Sequence, residues 1–107
     1  MKKYIQITTT VSKFDEVKII ADNILDKKIA ACVQIIGPIK SLYWWKNKKE
    51  NEEEWICLIK TKKQLFKKIE KLIKDLHPYE LPEIIATPII NGSKEYLRWI
   101  DYETQNN

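Results

Sequence analysis

Residues 4–10 alternate apolar and polar, with Ile5 and Ile7 on one face and Tyr4, Gln6 and Thr8 on the other. A period of two predicts a strand. From Ser12 the period changes. Val17, Ile20, Ala21, Ile24 and Leu25 follow the i, i+3, i+4, i+7, i+8 rule, which predicts an amphipathic helix over 13–28. Ser12 is placed to cap it, with Asp15 three residues on as a weak capping box, and Lys27 and Lys28 lie where the helix dipole favours cations. Residues 30–45 form one long extended run. Gly37-Pro38 interrupts it and predicts a bulge, a bend or an edge position. The polar stretch 47–52 predicts a turn, and 53–61 the returning strand. In that strand Ile56 and Leu58 share one face, and Trp55, Cys57 and Ile59 the other. Both faces are apolar, so both need cover. Thr61 and Gln64 form a capping box ahead of Leu65, Phe66, Ile69, Leu72, Ile73 and Leu76, which predicts a second helix over 62–76. Residues 77–83 hold two prolines and read as a connection. Residues 84–90 predict a short strand with Pro88 at an edge or an end. Gly92-Ser93 opens a last helix with Tyr96, Leu97 and Ile100 on one side. The tail beyond Glu103 is polar and is expected to fray.

The order β-α-β-β-α-β-α in 107 residues predicts a single α+β domain spanning 1–107. The expected architecture is a ferredoxin-like βαββαβ sandwich, a four-stranded antiparallel sheet with two helices on one face, followed by a C-terminal helix. The central hairpin is too long for such a domain. A strand of about 15 residues spans roughly 50 Å, against a radius of gyration of about 13 Å for a compact chain of this size. The hairpin must bend at Gly37-Pro38, protrude, or both. It carries Tyr43, Trp44, Trp45 and Trp55, and an aromatic arm reaching past its own domain is best explained by contact with another subunit. The uncovered sheet face argues the same way, for an obligate homo-oligomer.

Composition narrows the function. Lysine and arginine total 19 against 15 aspartate and glutamate, a net charge of +4. These charges interleave along the chain, which argues against nucleic-acid binding. The third strand also lacks the glycine and paired aromatics of an RNA-recognition motif. No apolar run reaches the length of a membrane span, and the start of the chain lacks an apolar signal core, so a cytoplasmic location is expected. Cys32 and Cys57 lie in apolar strands and read as core thiols rather than a disulfide. One histidine, His77, excludes a multi-histidine metal site within one chain. No glycine-rich phosphate loop, Gly-x-Ser-x-Gly, Cys-x-x-Cys or His-Glu-x-x-His is present, and spacing identifies no activated nucleophile. The chain is read as a non-enzyme with no organic cofactor.

The densest chemistry is His77-Pro78-Tyr79-Glu80-Leu81-Pro82-Glu83. Its bland reading is a rigid turn with His77 at a helix C-terminus and Tyr79 packing. Its functional reading places His77, Tyr79 and Glu83 around a cleft where an imidazole and a carboxylate share a divalent metal. Lys60, at the end of an apolar strand, reads as a snorkelling surface residue or as an anion partner at the mouth of an intersubunit cleft. Trp44, Tyr96 and Trp99 read as packing residues or as walls of that cleft.

Several segments together resemble a known family. They are Lys28-Ile29-Ala30-Ala31-Cys32-Val33, Ser41-Leu42-Tyr43-Trp44-Trp45, Lys60-Thr61, His77-Pro78-Tyr79-Glu80-Leu81-Pro82-Glu83-Ile84 and Tyr96-Leu97-Arg98-Trp99. In this order and spacing they resemble the CutA divalent-cation tolerance proteins over roughly residues 4–100. The resemblance implies a homotrimer assembled through the 30–61 hairpin, similar to the PII signalling proteins. It also implies a role in tolerance to divalent metals, copper above all. The implied metal ligands are His77 and Glu83. Tyr79, Lys60, Trp44, Tyr96 and Trp99 fall at positions lining an intersubunit cleft. Two positions depart from some relatives: Thr9 stands where they have a cysteine, and Leu76 where they have a second histidine. Three functions follow as expectations. The first is a trimer that binds Cu(II) or another divalent cation. The second is a PII-like sensor of a small anionic ligand. The third is a scaffold for an unidentified protein or membrane partner.

Overall fold

The computed structural model describes residues 3–105. The elements run β1 Tyr4–Val11, α1 Phe14–Asp26, β2 Cys32–Trp45, β3 Lys48–Lys62, a 3-10 turn Lys63–Leu65, α2 Phe66–Leu76, β4 Ile85–Pro88 and α3 Lys94–Glu103. The strands form one antiparallel sheet in the order β2-β3-β1-β4. This is the α+β, ferredoxin-like order expected.

Alternation divides the sheet cleanly. Ile5, Ile7 and Val11 of β1 and Cys57 and Ile59 of β3 face Val17, Ile20 and Ile24 of α1 and Ile69, Leu72 and Ile73 of α2. The opposite face carries Tyr4, Gln6, Thr8, Ile56, Leu58, Lys60, Cys32, Gln34, Ile36 and Ile85. Part of that face is covered by α3, through a hydrogen bond from Tyr4 to Asp101 and the burial of Ile100. The expectation of helices on one face only is corrected here. What α3 leaves open is apolar: Ile36 is 49% and Ile85 53% exposed, with Ile56 and Leu58 half-buried beside them.

The hairpin differs most from expectation. Residues 48–52 are strand, not turn, and the reversal is the pair Lys46-Asn47 alone, both at positive φ (50° and 66°). Two left-handed residues match the twist of the flanking strands. Polar residues in an exposed ribbon carry no apolar alternation, so they resemble a loop in sequence. The 14-residue β2 spans about 46 Å, close to the 44 Å long axis of the molecule. The hairpin does protrude.

Gly37-Pro38 makes the expected irregularity, a register shift between Ile36 and Ile39. A Cβ on Gly37 would lie 2.6 Å from Cε3 of Trp55, whose ring is held edge-on by Phe14 at 5.2 Å. We predict that Gly37→Ala costs about 1–3 kcal/mol, the usual penalty for overpacking. An unchanged denaturation midpoint would refute the close approach.

Both predicted capping boxes are absent. Ser12 donates its hydroxyl to Glu16 (3.2 Å), and Lys13 occupies the N-cap without a side-chain bond. Thr61 donates its hydroxyl to the Ile29 carbonyl (2.6 Å) and so ties β3 to the α1–β2 connection. The helix then starts later, after the 3-10 turn. Ser93 does cap α3, accepting from the Tyr96 N–H at 3.3 Å.

Candidate functional site

Residues 77–83 leave the C-terminus of α2 and run beneath the hairpin. His77 ends the helix, its N–H donating to the Ile73 carbonyl (2.7 Å). Its ring turns inward and is 9% exposed. Nε2 lies 2.8 Å from the Thr10 carbonyl oxygen, and Nδ1 accepts the Tyr79 N–H at 3.1 Å. A carbonyl can only accept, so Nε2 carries the proton and the imidazole is neutral. Burial lowers the His77 pKa, against the opposing pull of the Thr10 carbonyl, Glu16 and Glu54. Both ring nitrogens are therefore engaged in structural bonds.

Tyr79 packs edge-on against His77 with centroids 4.6 Å apart. Its hydroxyl donates to Oε2 of Glu54 at 2.6 Å. Burial, then the Glu54 carboxylate, pushes the Tyr79 pKa well up, so the phenol stays a donor. Glu54 is only 5% exposed. It was not singled out from sequence, although Glu50, Glu52 and Glu54 repeat at the strand period on one face. A groove of about 740 Å³ opens between the hairpin and residues 79–83, with Glu52, Glu54, Glu80, Glu83 and Tyr43 among its walls. The Tyr43 pKa is raised by burial and by Glu54, Glu52 and Glu50, which reports the concentration of negative charge.

Glu83 and Tyr79 line this groove, but His77 does not. The expected His77–Glu83 metal pair is thus not assembled in a single chain: the imidazole lies behind Tyr79, committed to Thr10. Among the described residues no three His, Cys, Asp or Glu side chains converge to hold a metal ion. Thr9 offers nothing in compensation. It is fully buried opposite Cys57, whose thiol burial pushes up to about 12, and its hydroxyl has no hydrogen-bond partner. Thr9→Val, which removes that hydroxyl, is predicted to stabilise the fold by about 1 kcal/mol. A destabilised variant in chemical denaturation would mean that the hydroxyl does find a partner.

Lys60, Tyr96 and Trp99 lie elsewhere, the lysine on β3 and the two aromatics on α3. Lys60 donates to Oε1 of Gln34 at 2.7 Å and pairs across the ladder with Cys32. The Tyr96 pKa is raised by burial and then by Cys32, and its ring lies 5.5 Å from that of Trp99. Trp44 lines the carboxylate groove together with Tyr79 and Glu83. It pairs with Lys49, eleven residues from Lys60 along β3 or about 36 Å, and is 72% exposed. One chain therefore holds the predicted cleft residues as separate pieces.

Residues 5–103 match the family model of the CutA1 divalent ion tolerance protein. The chain is 42% identical over 95 residues to the divalent-cation tolerance protein CutA of Archaeoglobus fulgidus, covering 89% of this chain and 92% of that protein. It is 37% identical over 101 residues to the chloroplastic protein CutA 1 of Oryza sativa, covering 94% of this chain but only 57% of the longer rice protein. Among solved structures, CutA1 from Oryza sativa superposes with a TM-score of 0.94 at 35% identity, over 99% of this chain and 97% of that one. CutA1 from Shewanella sp. SIB1 does so with a TM-score of 0.93 at 39% identity, over 96% of each chain.

Proposed function

The chain belongs to the CutA1 divalent ion tolerance protein family, and on that premise we propose that it is a non-enzymatic homotrimer that takes up divalent cations, copper foremost. The cations enter the carboxylate-lined groove beneath the hairpin, and the donors of more than one subunit complete their coordination. The observation that carries this reading is the groove itself. Glu52, Glu54, Glu80 and Glu83 line it together, while among the described residues of one chain no complete donor set converges. Carboxylates at neutral pH accept hard and borderline divalent ions, and Cu(II) heads the first-row order for such donors. His77 contributes only by releasing the Tyr79 N–H, so cation uptake at the imidazole would loosen residues 77–83. Such a coupling suits a protein that responds to metal rather than one that merely stores it.

The test is a Cu(II) titration of metal-free protein by calorimetry with a weak competing chelator, comparing wild type with Glu83→Gln and Glu83→Gln/His77→Ala. We expect saturable binding in the wild type, weakened at least tenfold in both variants. Equal affinity in all three would remove the assigned site.

A second reading has its own support. Lys60 donates to the neutral Gln34 amide, and its ladder partner Cys32 lies by Tyr96 at the edge of the open sheet face. That arrangement suits a small anionic ligand bound between subunits, as in a PII-like sensor. A rise in melting temperature with a small anion that disappears in Lys60→Ala, with Cu(II) having no effect, would favour it over the first.

A further inference from the structure

The sequence interleaves its charges, but the fold does not. Residues 63–76 contain five lysines, Lys63, Lys67, Lys68, Lys71 and Lys74, against Glu70 and Asp75. All five lysines are exposed on the outer side of the 3-10 turn and α2, because Leu65, Ile69, Leu72 and Ile73 take the inner side. The C-terminus of α1 adds Lys27 as its C-cap residue, next to Lys28. This is the face opposite the open side of the sheet, so it stays outward in any assembly made through that side.

A groove of about 510 Å³ runs along this face between α1 and α2. Its floor is Ile29 and Leu72, and its rims carry Lys27, Lys68, Lys71 and Asp75. Ile29 is held in place by the Thr61 hydroxyl on its carbonyl, at 2.6 Å. Lys71 meets Asp75 at 3.1 Å across one helical turn, an exposed pair worth little in water. Glu70 answers Lys67 and Lys74 (3.5 and 3.3 Å) and does not line the groove. Lys27 and Lys68, on opposite rims, have no carboxylate partner among the described residues.

Two unneutralised ammonium groups and a third within reach, above an apolar floor, define a ligand by its chemistry. It must carry about two negative charges at one end and an apolar body at the other. The groove volume is that of a small-molecule site, and lysine is a common partner of phosphate. We propose that the groove between Lys27 and Lys68 binds a soluble phosphate monoester, with its phosphate between the ammonium groups and its apolar part on Ile29 and Leu72. Such a ligand would reach the protein on the side away from the carboxylate groove, so the two sites can be occupied independently.

The experiment is an amide-resonance titration of the full-length protein with phenyl phosphate, inorganic phosphate, and vesicles of phosphatidylcholine containing phosphatidic acid. We expect phenyl phosphate to shift residues 27–29 and 68–75 saturably, at least tenfold more tightly than inorganic phosphate. Lys27→Glu/Lys68→Glu should weaken it at least tenfold with an unchanged melting temperature, since both side chains are exposed. Shifts spread over lysines elsewhere, such as Lys48 and Lys49, would overturn the proposal. So would equal binding in the variant. Binding to the vesicles without any response to phenyl phosphate would also overturn it and move the recognition to lipid headgroups.

Discussion

The double variant Ile36→Asp/Ile85→Asp is expected to run as a folded monomer in light scattering, where the wild type runs at three times the 12.8 kDa chain mass. The two side chains sit half exposed on the sheet face that α3 leaves open, so aspartates there cost the isolated fold little. Within an assembly the same positions would bury two unpaired carboxylates per chain, each costing several kcal/mol. Apolar association of roughly standard interface size cannot absorb that. Far-ultraviolet circular dichroism should be unchanged, and the melting temperature should fall, because assembly stabilises the folded chain by mass action. A variant that keeps the wild-type mass would place the interface elsewhere. A wild type that runs as a monomer would remove the trimer altogether.

The second large effect concerns His77. His77→Ala leaves the Thr10 carbonyl and the Tyr79 N–H without their ring partners, in a site only 9% exposed. Each orphaned group costs about 1–3 kcal/mol, so a loss of about 2–6 kcal/mol is expected. The pH dependence carries a separate signature. Burial depresses the folded pKa of His77 below its ordinary 6.5, so the unfolded chain binds this proton more readily than the folded one. The neutral ring's contribution is complete above about pH 6.5 and is lost as pH falls from there through the depressed folded value. This is the one histidine of the chain, and Asp and Glu ordinarily titrate near pH 4. The upper part of the decline, between about pH 6.5 and 5.5, therefore reports His77. Urea unfolding at a series of pH values should show it in the wild type and not in His77→Ala. Parallel curves for the two proteins would mean that the imidazole is not the neutral, doubly bonded ring described.

Much of the fold was legible because burial enforces period. Ile5 and Ile7 in β1, Val17, Ile20 and Ile24 in α1, and Ile69, Leu72 and Ile73 in α2 all repeat at the spacing of their element and all reach the core. Polar segments were not legible in this way. Residues 48–52 are strand through ladder bonds to β2, and a backbone ladder leaves no mark on side-chain polarity. Ser12 and Thr61 matched a capping pattern, but a short hydroxyl can serve any nearby acceptor, and Glu16 and Ile29 took them. The site followed the same division. Residues 77–83 announced themselves by crowding titratable groups between prolines. The direction of the His77 ring did not, because it depends on Thr10, sixty-seven residues away. Glu54 was hidden for the same reason: its partner, Tyr79, meets it only in the fold. The resemblance assigns Lys60 and Trp44 to one intersubunit cleft, and on a single chain the register sets them far apart.

The cation site proposed above is one that more than one subunit completes. Its most direct test is a Cu(II) titration, with a weak competing chelator, of the wild type beside the monomeric Ile36→Asp/Ile85→Asp. The groove carboxylates are intact in both. Saturable binding in the wild type and at least tenfold weaker binding in the monomer is the predicted result. Equal binding by the monomer would contradict a site completed between subunits and assign the cation to the single-chain groove.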